Sequence, residues 1–369
     1  MRNSLLKYIL HKPVLFIFPL LLNLSDIQNG FSQAPLYSNE FLNIGIDAAS
    51  FSKGNAVIAS SLGVCSGYWN PAGITSMETR FETSLMHANY FSGLAQYDYF
   101  GFAFKPTDSL GLGLSLIRFG IDDIPNTLDL IDENGNVNYD RITYFSVSDY
   151  ALLLSVARIT KVKGLKIGAN LKLVYRRQGN FANAYGFGFD IGGQYQLKNW
   201  RFGAVLRDAS STFNFWVFNK DLFSSIYLQT GNEIPENSLE ITMPKLLFGV
   251  AYEHQFNKKI SLLAEIDVDW YFNAKQNSLI SGNLLNFDPH AGVQFSYLKN
   301  IHIRAGVDKF QLIEDFDKSD KLMFQTSVGA GFYFYHFSLD YALSNVGDFS
   351  VAPLSHIFSL KYSFNIKKQ

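Results

Sequence analysis

The stretch YGFGFDIGGQYQL, residues 185–197, constrains the fold more than any other part of this chain. Tyr185, Phe187, Phe189, Ile191, Tyr195 and Leu197 fall on alternate positions, with Gly186, Gly188, Asp190, Gly192, Gln194 and Gln196 between them. Successive side chains of a strand point to opposite faces, so this strand is greasy on one side and small and polar on the other. LKIGANLKLVY repeats the pattern, setting Leu165, Ile167, Ala169, Leu171, Leu173 and Tyr175 against Lys166, Gly168, Asn170 and Lys172. ISLLAEIDVDWYF sets Ile260, Leu262, Ala264, Ile266, Val268, Trp270 and Phe272 against Ser261, Glu265, Asp267 and Asp269. Fourteen such strands are predicted, near 79–91, 95–105, 110–121, 143–158, 163–176, 183–197, 200–208, 243–256, 260–272, 288–298, 300–309, 323–334, 336–345 and 355–366.

A soluble sandwich also alternates, so the connections decide. They run short then long: KPTDS, then 122–142; ITKVK, then 177–182; KN, then 209–242; FNK, then 273–287; KN, then 310–322. Transmembrane barrels keep short periplasmic turns and longer outward loops. The first connection, around Ser92 and Gly93, is the exception, short where an outward loop is expected. The polar face is mostly glycine, serine, asparagine and glutamine, which suits a water-filled or plugged interior rather than open solvent. The chain has 34 Phe, 20 Tyr and 28 Gly, and its 31 basic against 32 acidic residues build no field for nucleic acid. Tyr175, Tyr185, Trp200, Trp270 and Tyr297, near strand ends, suit interfacial girdles. The expected fold is all-β: a 14-stranded antiparallel transmembrane β-barrel with an N-terminal plug segment, in contact with outer-membrane lipid.

The N-terminus reads as an export signal over 1–34. Arg2, Lys7 and Lys12 precede an apolar run from Val14 to Leu24, and Ser32 and Ala34 are small residues at a cleavage site. The alternative, a membrane anchor, is disfavoured because the run is too short to span. The predicted organisation is therefore a signal peptide at 1–34, a plug or hatch at 35–78 and an outer-membrane barrel at 79–369. The single cysteine, Cys65, can form no disulfide within the chain.

The proposed plug contains FLNIGIDAASFSKGNAVIASSLGVCSGYWNPAGI, residues 41–74. It resembles the N-terminal signature of the PorV/PorQ family of outer-membrane proteins at Phe41, Leu42, Ile44, Gly45, Ala48, Gly54 and Tyr68 to Gly73. Ser50 stands where that family has arginine, and SLGVCSG replaces its acidic stretch. FGIDDIPNT, SDYALLLSVAR, IRAGVD and LDYALS resemble later family strands. The resemblance implies a barrel like that of the fatty acid transporter FadL. It also implies a place in type IX secretion, binding a secreted or cell-surface protein or other components of that system.

Several constellations are candidates for function. Trp69, Asn70, Pro71 and Gly73 could seal the lumen, or simply turn the chain into the first strand. Lys166, Lys172, Arg176, Glu265, Asp267, Asp269 and Arg304 share the inferred lumen face, where charges pair, meet water or bind a polar ligand. DENGNVNYD, residues 132–140, lacks the glycine and closing glutamate of a calcium loop, so a hydrated acidic loop is expected and no metal or cofactor is assigned. The histidines lack metal-site spacing and no catalytic set is evident, so a non-enzyme is expected. Phe213, Phe215, Trp216, Phe218 and Phe223 crowd the longest outward loop; they would fold onto the barrel mouth, anchor a protein partner or capture an apolar ligand. The favoured function is a non-enzymatic partner-binding barrel; the alternative is a FadL-like transporter of a hydrophobic small molecule.

Overall fold

The structure, a computed structural model, describes residues 38–90, 93–128, 130–131, 135–224, 235–272, 280–281, 286–314, 320–345 and 354–365. The proposed signal, residues 35–37 of the plug and residues 132–134 of the acidic loop lie outside these.

The alternating segments form one closed antiparallel barrel. Its strands are β1 (Phe81–Tyr90), β2 (Ala95–Thr107), β3 (Leu110–Asn126), β4 (Thr143–Ile159), β5 (Leu165–Gln178), β6 (Ala182–Leu197), β7 (Trp200–Arg207), β8 (Thr212–Phe218), β9 (Ser238–Thr242), β10 (Lys245–Gln255), β11 (Ile260–Tyr271), β12 (Ile280–Ser281), β13 (Asn286–Tyr297), β14 (Ile301–Glu314), β15 (Asp320–Phe334), β16 (Phe337–Ser344) and β17 (Ser355–Phe364). Successive strands pair around the wall, except that β6 also pairs with β8, β7 with β10 and β11 with β13, and β1 closes the ring on β17 through Phe81↔Phe364 to Asn89↔His356. β12 is a two-residue addition to β13.

β7 and β8 are two halves of one wall strand. β6 pairs with β7 through Ile191–Leu197 and with β8 through 182–187. The jog between them, 208–211, places Asp208 and Ser211 at positive φ of 54° and 61°. On the facing side β9 and β10 break at Met243–Pro244, where proline has no N–H for the ladder. The 209–242 connection is thus not the free loop expected from the sequence: its flanks carry β8 and β9 and extend the wall. Counting each pair of halves as one strand, the wall has 14 strands.

The face assignment follows the alternation. Phe187 is 50% exposed and Ile191 55%, whereas Lys172 and Asp190 are each 2% exposed. Outward residues meet hydrocarbon and inward residues meet residues 38–78, which lie inside the cylinder. This inner segment has one helical turn at Ala48–Phe51, another at Ser66–Trp69 and a 3-10 stretch at Pro71–Ser76. Its Phe41, Ile46, Phe51, Val57, Ile58, Val64 and Ile74 join inward-facing Met86, Tyr97, Ile117 and Leu153 in the main apolar core.

The glycines of the polar face have a steric reason. A Cβ on Gly203 would overlap the Ile58 carbonyl, and one on Gly306 would overlap the backbone of Lys53 and Gly54. Of the water-filled or plugged interior that the small, polar lining suggested, much of the lining is a bed for another backbone.

Candidate functional site

The interior is organised around the grip between the wall and residues 38–78. Glu265 and Asp267 project inward from β11 two residues apart and are almost completely buried. Asp267 Oδ2 accepts the backbone N–H of Val57 at 2.6 Å and of Ile58 at 2.8 Å. Glu265 Oε1 accepts those of Ala59 at 2.7 Å and Ser60 at 3.1 Å. A carboxylate bonded to backbone N–H groups acts as an anchor, because these charge-assisted bonds replace part of its lost hydration. Asn170 donates to the Gly67 carbonyl at 2.8 Å, Gln194 to that of Ser61 at 2.9 Å, and Ser359 accepts from Ala48 N at 2.7 Å.

The YWNPAG run is the knot in this packing. Asn70 caps the 3-10 stretch through Oδ1, while its Nδ2 donates to the carbonyls of Ile58 and of wall residue Gly193, both at 3.0 Å. Pro71 opens the stretch at a position where no N–H is needed. A side chain on Gly73 would strike the Ser61 carbonyl. Trp69 Nε1 donates to the Ile46 carbonyl at 3.2 Å, and its ring meets that of Tyr68 edge-on at 4.9 Å. Arg207 reaches over the Tyr68 ring at 4.7 Å and donates to the Tyr68 carbonyl at 3.0 Å. Trp69, Asn70, Pro71 and Gly73 are all buried inside the cylinder.

The remaining lumen charges are dispersed. Lys172 bridges Asp190 at 3.1 Å and Asp208 at 2.6 Å, holding the jog between β7 and β8. Arg176 pairs with Asp149 at 3.1 Å and Glu240 at 3.4 Å. Arg304 pairs with Asp340 at 2.7 Å, and Lys166 donates to Ser76 Oγ at 2.6 Å. Asp269 lies 3.6 Å from Lys245. Within the inner segment, burial pushes the Lys53 ammonium below its ordinary pKa and the Cys65 thiol up to about 12.

The aromatic set is divided by the strand it occupies. Phe215 points to lipid and is exposed; Phe213 packs at a tilt against Phe187, with ring centroids 5.8 Å apart. Trp216 points inward, donates to Glu240 Oε2 at 2.6 Å and lies under Arg176. Phe218 stacks on Trp216 at 6.2 Å, and Phe223 packs on Phe181 at 5.9 Å. These residues do not form one exposed patch. Asn170, Gln194, Asp190 and Asp208 were not picked out from the sequence as site residues, although Asp190 was visible as the lone acid in the opening stretch.

The two ends of the interior differ. Toward the long connections, Ile44, Tyr90 and Phe119 are only partly buried and pack on the core of Phe41, Leu42 and Tyr97, forming a small apolar floor on the β1–β3 side, beside the inward Asp149–Arg176 pair. Toward the short turns lies a polar cavity of about 270 Å³ whose lining includes Lys53, Arg201, Glu253, Gln294, Arg304 and Lys361.

No protein-family model and no curated protein matches the sequence. Solved structures do match the fold. The CymD monoaromatic hydrocarbon channel is 14% identical with a TM-score of 0.55, over 88% of this chain and 98% of that one. The toluene transporter TbuX of Ralstonia pickettii is 14% identical with a TM-score of 0.53, over 87% and 98%. The toluene transporter TodX of Pseudomonas putida is 15% identical with a TM-score of 0.56, over 87% and 98%. The likeness is one of fold.

Proposed function

We propose that this protein is a non-enzymatic, FadL-like outer-membrane conduit for small hydrophobic molecules, delivered to the membrane by the cleaved signal at 1–34. The observation that carries this reading is the apolar floor of Ile44, Tyr90 and Phe119 inside the outward end of the barrel. An apolar solute gains by leaving water for such a surface. The fold shared with a monoaromatic hydrocarbon channel and two toluene transporters supports the same substrate class. In this reading residues 38–78 are the barrier, and passage requires their anchors on Glu265 and Asp267 to yield. Uptake of a labelled monoaromatic hydrocarbon by cells with a poorly permeable outer membrane tests it. Expression should raise uptake, and heat-modifiable protein in the membrane without increased uptake would overturn the proposal.

A second reading, a PorV/PorQ-like component of type IX secretion that binds a secreted or surface protein, is supported by the resemblance at Phe41 to Gly73. The continuous pairing around the wall also favours it, since a closed cylinder suits docking at the rim. Pull-down from native outer membranes separates the two: a stoichiometric secreted partner with no hydrocarbon uptake would favour docking.

A further inference from the structure

Three ionisable side chains stand together on the outward face of the wall. His87 on β1, Asp98 on β2 and Arg118 on β3 are direct cross-strand neighbours. Asp98 Oδ1 is 2.7 Å from His87 Nδ1, and Arg118 donates to Asp98 Oδ2 at 2.9 Å. Their side chains are 49%, 38% and 30% exposed. On a lipid-facing wall, charge is costly at mid-bilayer and tolerated at the interfaces, so the level of this triad matters.

The register gives that level. The row continues from Arg118 to Tyr150, Tyr175 and Tyr185, whose rings follow one another at 6.2 and 5.3 Å. The outward row nearer the long connections is polar, with Asn89, Gln96, Ser148, Arg177 and Asn183. The outward row on the other side is apolar, with Leu85, Phe100, Leu116, Leu152, Leu173 and Phe187. On β1–β3 themselves the outward positions switch from apolar Leu85, Phe100 and Leu116 to polar Asn89 and Gln96 across the triad, which marks the membrane interface, and the long connections mark it as the outer one. The triad therefore lies at headgroup height.

Directly below it, toward the apolar row, the wall is concave. A groove of about 470 Å³ runs across the β16–β17–β1–β2–β3 face, lined by Leu85, Phe100, Leu116, Leu339, Phe358 and Leu360, with the triad at its edge. Asp98 uses both oxygens on its two neighbours, whereas a guanidinium has five donors. One Arg118 nitrogen serves Asp98 and Gln96, and Tyr150 also bonds the group. Its second terminal nitrogen lies over Gly120, which has no side chain of its own.

We propose that this face holds one outer-leaflet lipid with a phosphate headgroup. The phosphate sits on Arg118 and His87, Asp98 orients both, and an acyl chain fills the groove. Arginine and phosphate match in charge and in forked geometry, and an acyl chain matches the leucine and phenylalanine floor. The site is independent of whether the barrel carries solute.

Lipid retention by the full-length barrel in nonionic detergent, read by native mass spectrometry, tests the assignment. The probes are phosphatidylglycerol and a galactolipid with the same acyl chains. Phosphatidylglycerol should be retained in preference, and Arg118→Gln should weaken retention about tenfold, equivalent to about 1.4 kcal/mol. Leu116→Trp, which fills the groove, should weaken it while leaving the headgroup site intact. Arg177→Gln, removing an outward arginine one row away, should have no effect. Equal retention of the galactolipid, equal loss in Arg177→Gln, or a second copy of the chain covering this face to the exclusion of lipid would overturn the proposal.

Discussion

Asp267 on the wall accepts the backbone N–H of Val57 at 2.6 Å across 210 positions of sequence. The same oxygen takes Ile58, and Glu265 takes Ala59 and Ser60, so two neighbouring acids grip four consecutive residues of the inner segment. Replacing both acids by alanine strands those donors, at about 1–3 kcal/mol for each buried group left unpaired. Residues 38–78 should become sensitive to added protease while the barrel keeps its heat-modifiable migration. Unchanged protection of the segment would show that the grip lies elsewhere.

Gly203→Val is expected to act at the same interface from the other side. Its Cβ would meet the Ile58 carbonyl, a backbone atom that cannot swing away. Overpacking of this kind costs about 1–3 kcal/mol. The thermal midpoint should fall, with the inner segment more exposed to hydrogen exchange; Gly193→Val, where a Cβ finds open room at 3.7 Å from the nearest atom, should be far milder.

Lys172→Met should be among the most damaging single changes. It removes the cation between Asp190 and Asp208 and leaves both carboxylates buried at the jog. Breaking a buried pair in this way costs about 3–5 kcal/mol. Changing Asp190 and Asp208 to asparagine alongside it should recover a large part of the loss, measurable as urea resistance when the triple variant is compared with Lys172→Met.

Burial holds the Cys65 thiol protonated far beyond its ordinary 9.0, up to about 12. Because the folded pKa lies above the unfolded one, this contribution is intact below pH 9 and is lost as pH climbs from 9 toward 12. A maleimide at pH 8 should label Cys65 only after denaturation. Rapid labelling of the folded barrel would place the thiol at a surface.

Deleting 212–218 separates the two views of the aromatic stretch. As a loop it would be dispensable, but β8 pairs with both β6 and β9. The deletion should abolish heat-modifiable migration, whereas Phe215→Ala, on the lipid side, should leave the barrel folded.

The wall was legible because hydrocarbon imposes a strict two-residue period; the predicted segment at 183–197 became β6 at Ala182–Leu197. The division of Phe213 and Phe215 from Trp216 was not, since strand and loop aromatics look alike until a partner strand fixes the register. Asp208 gave no local sign of pairing with Lys172, because their meeting depends on a jog with two residues at positive φ. Glycines of the polar face were read only as lining, and the path of residues 52–59 explains Gly203 and Gly306. Interactions periodic along the chain were visible; those depending on what crosses the interior were not.

The pairing of β1 with β17 has a kinetic corollary. The first wall strand must wait for the last before the cylinder can shut, so closure is the most non-local event in assembly and an inherently slow one. The inner segment is tethered directly to β1, and its glycine beds are distributed among strands made in between. It is therefore positioned to template the curvature of an unfinished sheet, and lesions in those beds should lower insertion yield as well as weaken the finished barrel.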